Sequence, residues 1–177
     1  LLALLDADAI PPPARPTRPH VEFWTVDLLD RTMSDVQIDH DESSGRGERV
    51  FIEARCVECH RFRGRGGSAG PDLTGIGSRM SQADLLVAIL DPSGNVTDQY
   101  APTWVETDEG LFTGRVLDLD AHRIVLDVDP YAAVSTMSIP RANILNMELS
   151  DVSTMPVGLL NTFSPGEIKA LLDYLQR

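Results

Sequence analysis

The chain has 177 residues, with 27 acidic against 15 basic side chains for a net charge of −12, and it is 42% hydrophobic. That length suits one domain of ordinary size or a small domain carrying an insertion. The acidity disfavours nucleic acid and anionic membrane surfaces as partners and favours a protein with a basic patch, although it also serves simply to keep a domain soluble; no apolar run approaches a membrane span.

Leu1 to Leu5 form an apolar start with no basic flank, which reads as a piece of a longer protein and not as a signal peptide. Residues 1–20 are expected to hold the end of a helix from a preceding domain, then a proline-rich linker from Pro11 to Pro19 that favours polyproline II. Residues 21–43 form an N-terminal extension. Its Phe23, Trp24, Val26, Leu28 and Leu29 are apolar enough to pack on something as an extended lead-in and a short helix. Ser43 or Ser44 can then cap a helix running through Gly47, Val50, Phe51 and Ala54. Gly47 and Phe51 share a face, where the glycine would let another helix approach closely.

That helix leads into Cys56-Val57-Glu58-Cys59-His60, which holds both cysteines of the chain. C-x-x-C-H is the attachment pattern of a c-type haem: two thiols add to the porphyrin vinyl groups, and the adjacent imidazole is placed under the iron. Two other readings compete. A structural zinc site would lack an evident second ligand pair, and a thioredoxin-like motif would need a preceding strand that is not readable. Haem is attached to such motifs outside the cytoplasm, so the bacterial periplasm is the expected location. Haem c with its iron is the expected cofactor, one per chain.

Arg61 to Gly70 is a glycine-rich stretch with three arginines, expected to be a flexible loop near the haem edge or facing solvent. In Gly70-Pro71-Asp72-Leu73-Thr74-Gly75 the Pro71 carbonyl can accept the free ring N–H of His60, and Leu73 would pack against the porphyrin; a plain Gly-Pro turn is the alternative. Ser81 to Asp84 is a capping box opening a second helix with Leu85, Leu86, Ile89 and Leu90 on one side and Pro92 ending it. Met80, just before the cap, reads as a hydrophobic staple and not as an iron ligand.

Residues 100–149 change character. Thr103–Thr107, Leu111–Leu117, Arg123–Val128, Val134–Ile139 and Ile144–Leu149 are short β-rich runs separated by turn signals. They predict a small closed or nearly closed antiparallel barrel of SH3-like or Sm-like size, with Met137 and Met147 in its core and His122 on the surface. Ser164-Pro165-Gly166-Glu167 then caps a final helix with an Ile168, Leu171, Leu172, Leu175 stripe, and its Tyr174 and Leu175 are candidates to cross the first helix at Gly47 and Phe51. A methionine opposite a histidine is the usual ligand set of an electron-transfer cytochrome. Among Met33, Met80, Met137, Met147 and Met155, the favoured one is Met155, in a loop fixed by Pro156 just before the last helix. His40 and His20 remain as bis-histidine alternatives.

Gly47-x-x-x-Phe51, Cys56–His60, Gly70 to Gly75, Asp91-Pro92-Ser93 and Ser153-x-Met155-Pro156-x-Gly158-Leu159 together resemble the haem-binding cytochrome c domain of planctomycetes and related bacteria. The resemblance covers about Ser44 to Arg177. It implies thioethers at Cys56 and Cys59, and His60 and Met155 as axial ligands, in a domain that serves a larger dehydrogenase-like chain. The expected architecture is α+β: a mainly α, class I cytochrome c-like core over residues 44–99 and 150–177, interrupted by the barrel at 100–149. The expected role is one-electron transfer with a redox partner protein or an attached dehydrogenase domain, no catalytic residue being needed. A haem sensor or peroxidase-like site with a displaceable sixth ligand, and a zinc-holding interaction module, are the alternatives.

Overall fold

The computed structural model describes residue 18 and residues 22–33, 40–94, 96–129 and 135–177, with the backbone alone for 40–44. The residues read as a preceding helix and most of the proline-rich linker lie outside it, as do His20, the His40 side chain, Pro130 and Val134. Helix α1 spans Val26–Met33, α2 spans His40–Glu53, and α3 is the single turn Cys56–Cys59. A two-stranded hairpin follows, β1 Arg61–Phe62 with β2 Arg65–Gly66, then α4 Gln82–Leu90. Strands β3 Thr103–Thr107, β4 Gly110–Leu119, β5 Arg123–Asp127, β6 Thr136–Pro140 and β7 Ile144–Leu149 form one sheet, and α5 Pro165–Leu175 ends the fold.

Helix α2 begins earlier than the serine caps predict, so the Ser43 and Ser44 backbone lies inside it. Nor does it run unbroken into the cysteine motif. Arg55 adopts φ 68°, a left-handed conformation that stops α2 and starts α3 in a new direction. Both capping boxes form as their sequences dictate: Ser81 with Asp84 on α4, and Ser164 with Glu167 on α5, where Pro165 occupies the first turn.

The α-helical core is built on the crossing of α2 and α5. A Cβ at Gly47 would lie 2.2 Å from the Ala170 carbonyl oxygen and 2.5 Å from the Tyr174 Cβ. Only glycine permits that approach. One turn along, Phe51 meets Tyr174 with ring centroids 6.1 Å apart, and Phe62 from the hairpin meets Tyr174 at 4.9 Å. Val50, Ala54, Leu160, Phe163, Ile168, Leu171 and Leu172 complete an apolar interior. The extension joins it: Leu29 of α1 is fully buried there, and the Trp24 indole N–H donates to the Phe163 carbonyl at 3.1 Å. Arg18 lies over the Phe163 ring, with its guanidinium bonded to Glu53 and Glu167.

The sheet has the order β6-β5-β4-β3-β7, antiparallel throughout. Val105, Ile124, Leu126 and Ile139 form its own small core. The strand positions match the sequence reading closely, but of the closed or nearly closed barrel expected, full closure is not seen among the described residues. Strands β6 and β7 remain edges: a 3-10 turn at Arg141–Asn143 carries the chain between them without pairing them, and two bulges coil the sheet without closing it. Met137 packs on the inner core, whereas Met147, on edge strand β7, is 39% exposed. His122 lies exposed in a turn whose amide N–H groups donate to Asp120.

The sheet leaves and rejoins the helical part at one neck. Thr103 at the start of β3 is paired with Leu149 at the end of β7. Ser150 N–H donates to the Pro102 carbonyl at 2.8 Å, and Ser153 N–H to the Ser93 hydroxyl at 3.1 Å. The insertion therefore adds sequence between α4 and the Met155 loop without adding distance.

The α2–α5 crossing sets a first test. Gly47→Ala is expected to cost roughly 1–3 kcal/mol of stability, because backbone and not a flexible side chain meets the new methyl. Denaturant unfolding measures it; an unchanged midpoint would mean that the helices do not cross this closely.

Candidate functional site

The turn α3 forms because Arg55 releases the chain from α2 in the left-handed region; Glu58 N–H then bonds the Arg55 carbonyl at 3.0 Å and His60 N–H the Cys56 carbonyl at 2.8 Å. Arg55 is tied to Glu58 by an ion pair at 2.7 Å. Cys56 and Cys59 are both half-buried, unoxidised thiols on this turn. Burial pushes the Cys56 thiol up to about 12, with Cys59 nearby adding to the effect. A thiol held protonated is the reverse of an activated redox thiolate, and helix α2, not a strand, precedes the motif; both count against the thioredoxin-like reading. Among the described residues, no group of three His, Cys, Asp or Glu side chains is arranged to hold a metal ion.

The His60 ring is fixed from one side. Its Nδ1 lies 2.9 Å from the Pro71 carbonyl oxygen. A carbonyl can only accept, so Nδ1 carries the proton and Nε2 keeps the lone pair. Burial lowers the His60 pKa, partly offset by this hydrogen bond, which keeps the imidazole neutral and able to ligate. Gly70 makes the arrangement possible: a Cβ there would sit 2.6 Å from His60 Cε1 and 2.8 Å from Nδ1.

The stretch after His60 is not the flexible loop its composition suggests. It is a hairpin pulled back onto α3, with Gly67 N–H bonded to the Val57 carbonyl and Gly70 N–H to the Cys59 carbonyl at 2.8 Å. Arg61, Arg63 and Arg65 are all exposed. Arg63 lies over the Phe62 and Tyr174 rings and, with Arg65, lines a separate cavity on the Tyr174 side. Leu73 packs on the helical core, and its N–H bonds the Arg61 carbonyl at 2.8 Å.

Met155 arrives from the opposite end of the chain. It lines a cavity of about 150 Å³ together with Cys59, His60, Gly70, Pro71, Pro92 and Tyr100. It also lines a smaller adjoining space with Arg55, Cys56, Cys59, His60, Pro156 and Leu159. Its backbone N–H donates to the Ser153 hydroxyl, and Gly158 at φ 76° turns the loop toward α5. Both thiols, the imidazole and the thioether thus converge. Met33 and Met80 pack on the helical core instead, and Met137 and Met147 belong to the sheet. Sequence reasoning missed Arg55, Tyr100, Val96 and Thr97 as wall residues. Pro92 carried a signal as part of Asp91-Pro92-Ser93, and Pro156 and Leu159 as part of the Met155 motif.

This donor set suits an iron porphyrin: two thiols on one helical turn, an imidazole with its free nitrogen unprotonated, and a soft thioether in the same cleft. Gly70→Ala is expected to drive the ring off the Pro71 carbonyl, abolishing or strongly broadening the NMR resonance of the His60 Nδ1 proton. An unperturbed resonance would contradict the close contact of Gly70 with the ring.

No curated protein matches the chain. The model of the family described as Cytochrome c matches residues 44–118, which takes in α2 from Ser44, the Cys56–His60 turn, Pro71, Leu73, α4 and the first strands of the sheet; Met155 and α5 lie beyond the match. Cytochrome c domains bind covalent haem c with its iron and carry electrons, and Cys56 and Cys59 stand at the spacing that this attachment requires.

Proposed function

We propose that the chain is a one-electron carrier in which Cys56 and Cys59 hold the haem as thioethers and His60 Nε2 and the Met155 sulfur are the axial ligands. The observation that carries this reading is the convergence of Met155 on the cavity of His60 and Cys59, although a five-stranded sheet separates them in sequence. Haem c bound there supplies an iron that takes up and releases one electron. The chain positions and insulates it. The Pro71 carbonyl fixes the His60 tautomer and strengthens it as a ligand. A thioether ligand would raise the reduction potential, Leu159 supplies apolar wall that keeps water from the cleft, and Leu73, packed on the helical core beside it, would meet the porphyrin.

The planctomycete-type pattern of motifs supports placement of this domain beside a dehydrogenase-like unit that delivers electrons, in the periplasm. A net charge of −12 favours a redox partner with a basic docking patch. Among the described residues no helix is long and apolar enough to cross a membrane.

The test is spectroscopic. Produced in a host with haem-attachment machinery, the protein is expected to gain the mass of one haem and to show a low-spin, six-coordinate spectrum. Met155→Ala should convert it to a high-spin form that takes up cyanide or carbon monoxide. A wild-type ferric protein that is already high-spin would eliminate the His/Met assignment in favour of an open sixth position, and absence of covalent haem would eliminate both.

A further inference from the structure

The cavity holding His60 and Met155 does not end at the helices. A second cavity, of about 200 Å³, shares Ala69, Tyr100 and Thr154 with it and continues against the inserted sheet. Its far wall carries Arg115 of β4 and Asp127 of β5. These residues are cross-strand partners, with Arg115 Nη2 3.9 Å from Asp127 Oδ2 and the side chains 27% and 19% exposed. The other carboxylate oxygen of Asp127 accepts the Ser135 hydroxyl at 2.6 Å. Asp127 is thus anchored independently, while Arg115 is held by one loose contact and keeps donors to spare.

Haem c retains two carboxylates after its vinyl groups have reacted, and a carboxylate entering a partly buried wall needs a cation or hydrogen-bond donors. We infer that Arg115, with the Tyr100 phenol, receives a porphyrin carboxylate, so that the inserted sheet forms part of the haem site and tunes its potential. The inference rests on the haem reading of Cys56–His60. It also gives the sheet a role that its sequence did not disclose.

The physical consequence has a sign. A cation at this wall favours the reduced iron, and an anion favours the oxidised iron. In spectroelectrochemical titrations, Arg115→Gln is expected to shift the ferric-to-ferrous ratio at fixed potential about three- to tenfold toward ferric, the upper figure being ~59 mV. Arg115→Lys should restore most of that shift, and Asp127→Asn should move the ratio the opposite way. Arg123→Gln, which removes a cation of β5 paired with Asp118 and Asp120 and outside either cavity, should change it less than about twofold. A merely structural Arg115 would not give opposite signs for Arg115→Gln and Asp127→Asn. Equal shifts in Arg115→Gln and Arg123→Gln, or no shift in Arg115→Gln, would overturn the inference. Intact mass and the spin state of the same samples separate the two levels: a six-coordinate haem protein with unmoved potentials refutes the role of Arg115 alone, whereas a protein without covalent haem refutes the haem reading and this inference together.

Discussion

An antiparallel sheet whose first and last strands are neighbours returns the chain to the point where it left, and the site depends on that return. Thr103 pairs with Leu149, and the Pro102–Ser150 and Ser93–Ser153 hydrogen bonds tie the two passing strands below the sheet. Holding the ends of a disordered loop of about 60 residues together would cost about 3–4 kcal/mol by the logarithmic closure term alone. A folded sheet with its own core of Val105, Ile124, Leu126 and Ile139 meets that cost within itself. Met155 therefore follows the neck almost as directly as if α4 ran straight into it.

The other face of the site depends on close backbone contact. Gly47 lets α5 lie on α2, which sets the aromatic group of Phe51, Phe62 and Tyr174 beneath the cysteine turn. Such ring pairs contribute about 0.5–1.5 kcal/mol each beyond their burial. Phe62 belongs to the hairpin, so the same contacts that stabilise the helix crossing hold the segment after His60 in place. That segment leads to Gly70 and Pro71, and so to the tautomer of His60. Packing in the core is thereby linked to the lone pair on one nitrogen.

Much of this was legible in the residues because the signals are local. Capping boxes at Ser81 and Ser164, strand runs at Thr103–Thr107 and Ile144–Leu149, and the Cys56–His60 turn each depend on neighbours a few positions away. What escaped depends on three-dimensional approach. The Gly64 to Gly70 segment has the composition of a flexible loop, yet its backbone donors reach the Val57 and Cys59 carbonyls and make it a tight cover. Arg55 gives no sign of a left-handed conformation, since arginine seldom adopts one. Closure of the barrel was a matter of edge pairing between β6 and β7, which alternation of apolar residues cannot specify. Tyr100 and Arg115 sit in unremarkable sequence, and only the fold brings them to one wall.

On the proposed reading, the distribution of charge separates two tasks that an electron carrier has to perform together. The excess of acidic side chains over basic ones lies in a chain whose Arg61, Arg63 and Arg65 stand on the outer hairpin. Exposed charges of this kind are screened beyond about 8–10 Å at ordinary ionic strength, so they govern encounter with a partner far more than the iron. Groups on the partly buried wall act through a lower dielectric and are screened less. In the proposed assignment the Met155 sulfur and Arg115 both favour the reduced form, opposing the acidity of the chain as a whole. Surface charge can then vary with the partner while the potential stays with the residues of the cleft. On that assignment, the insertion brings its own cation to the cleft and joins the site without disturbing the helices that hold His60.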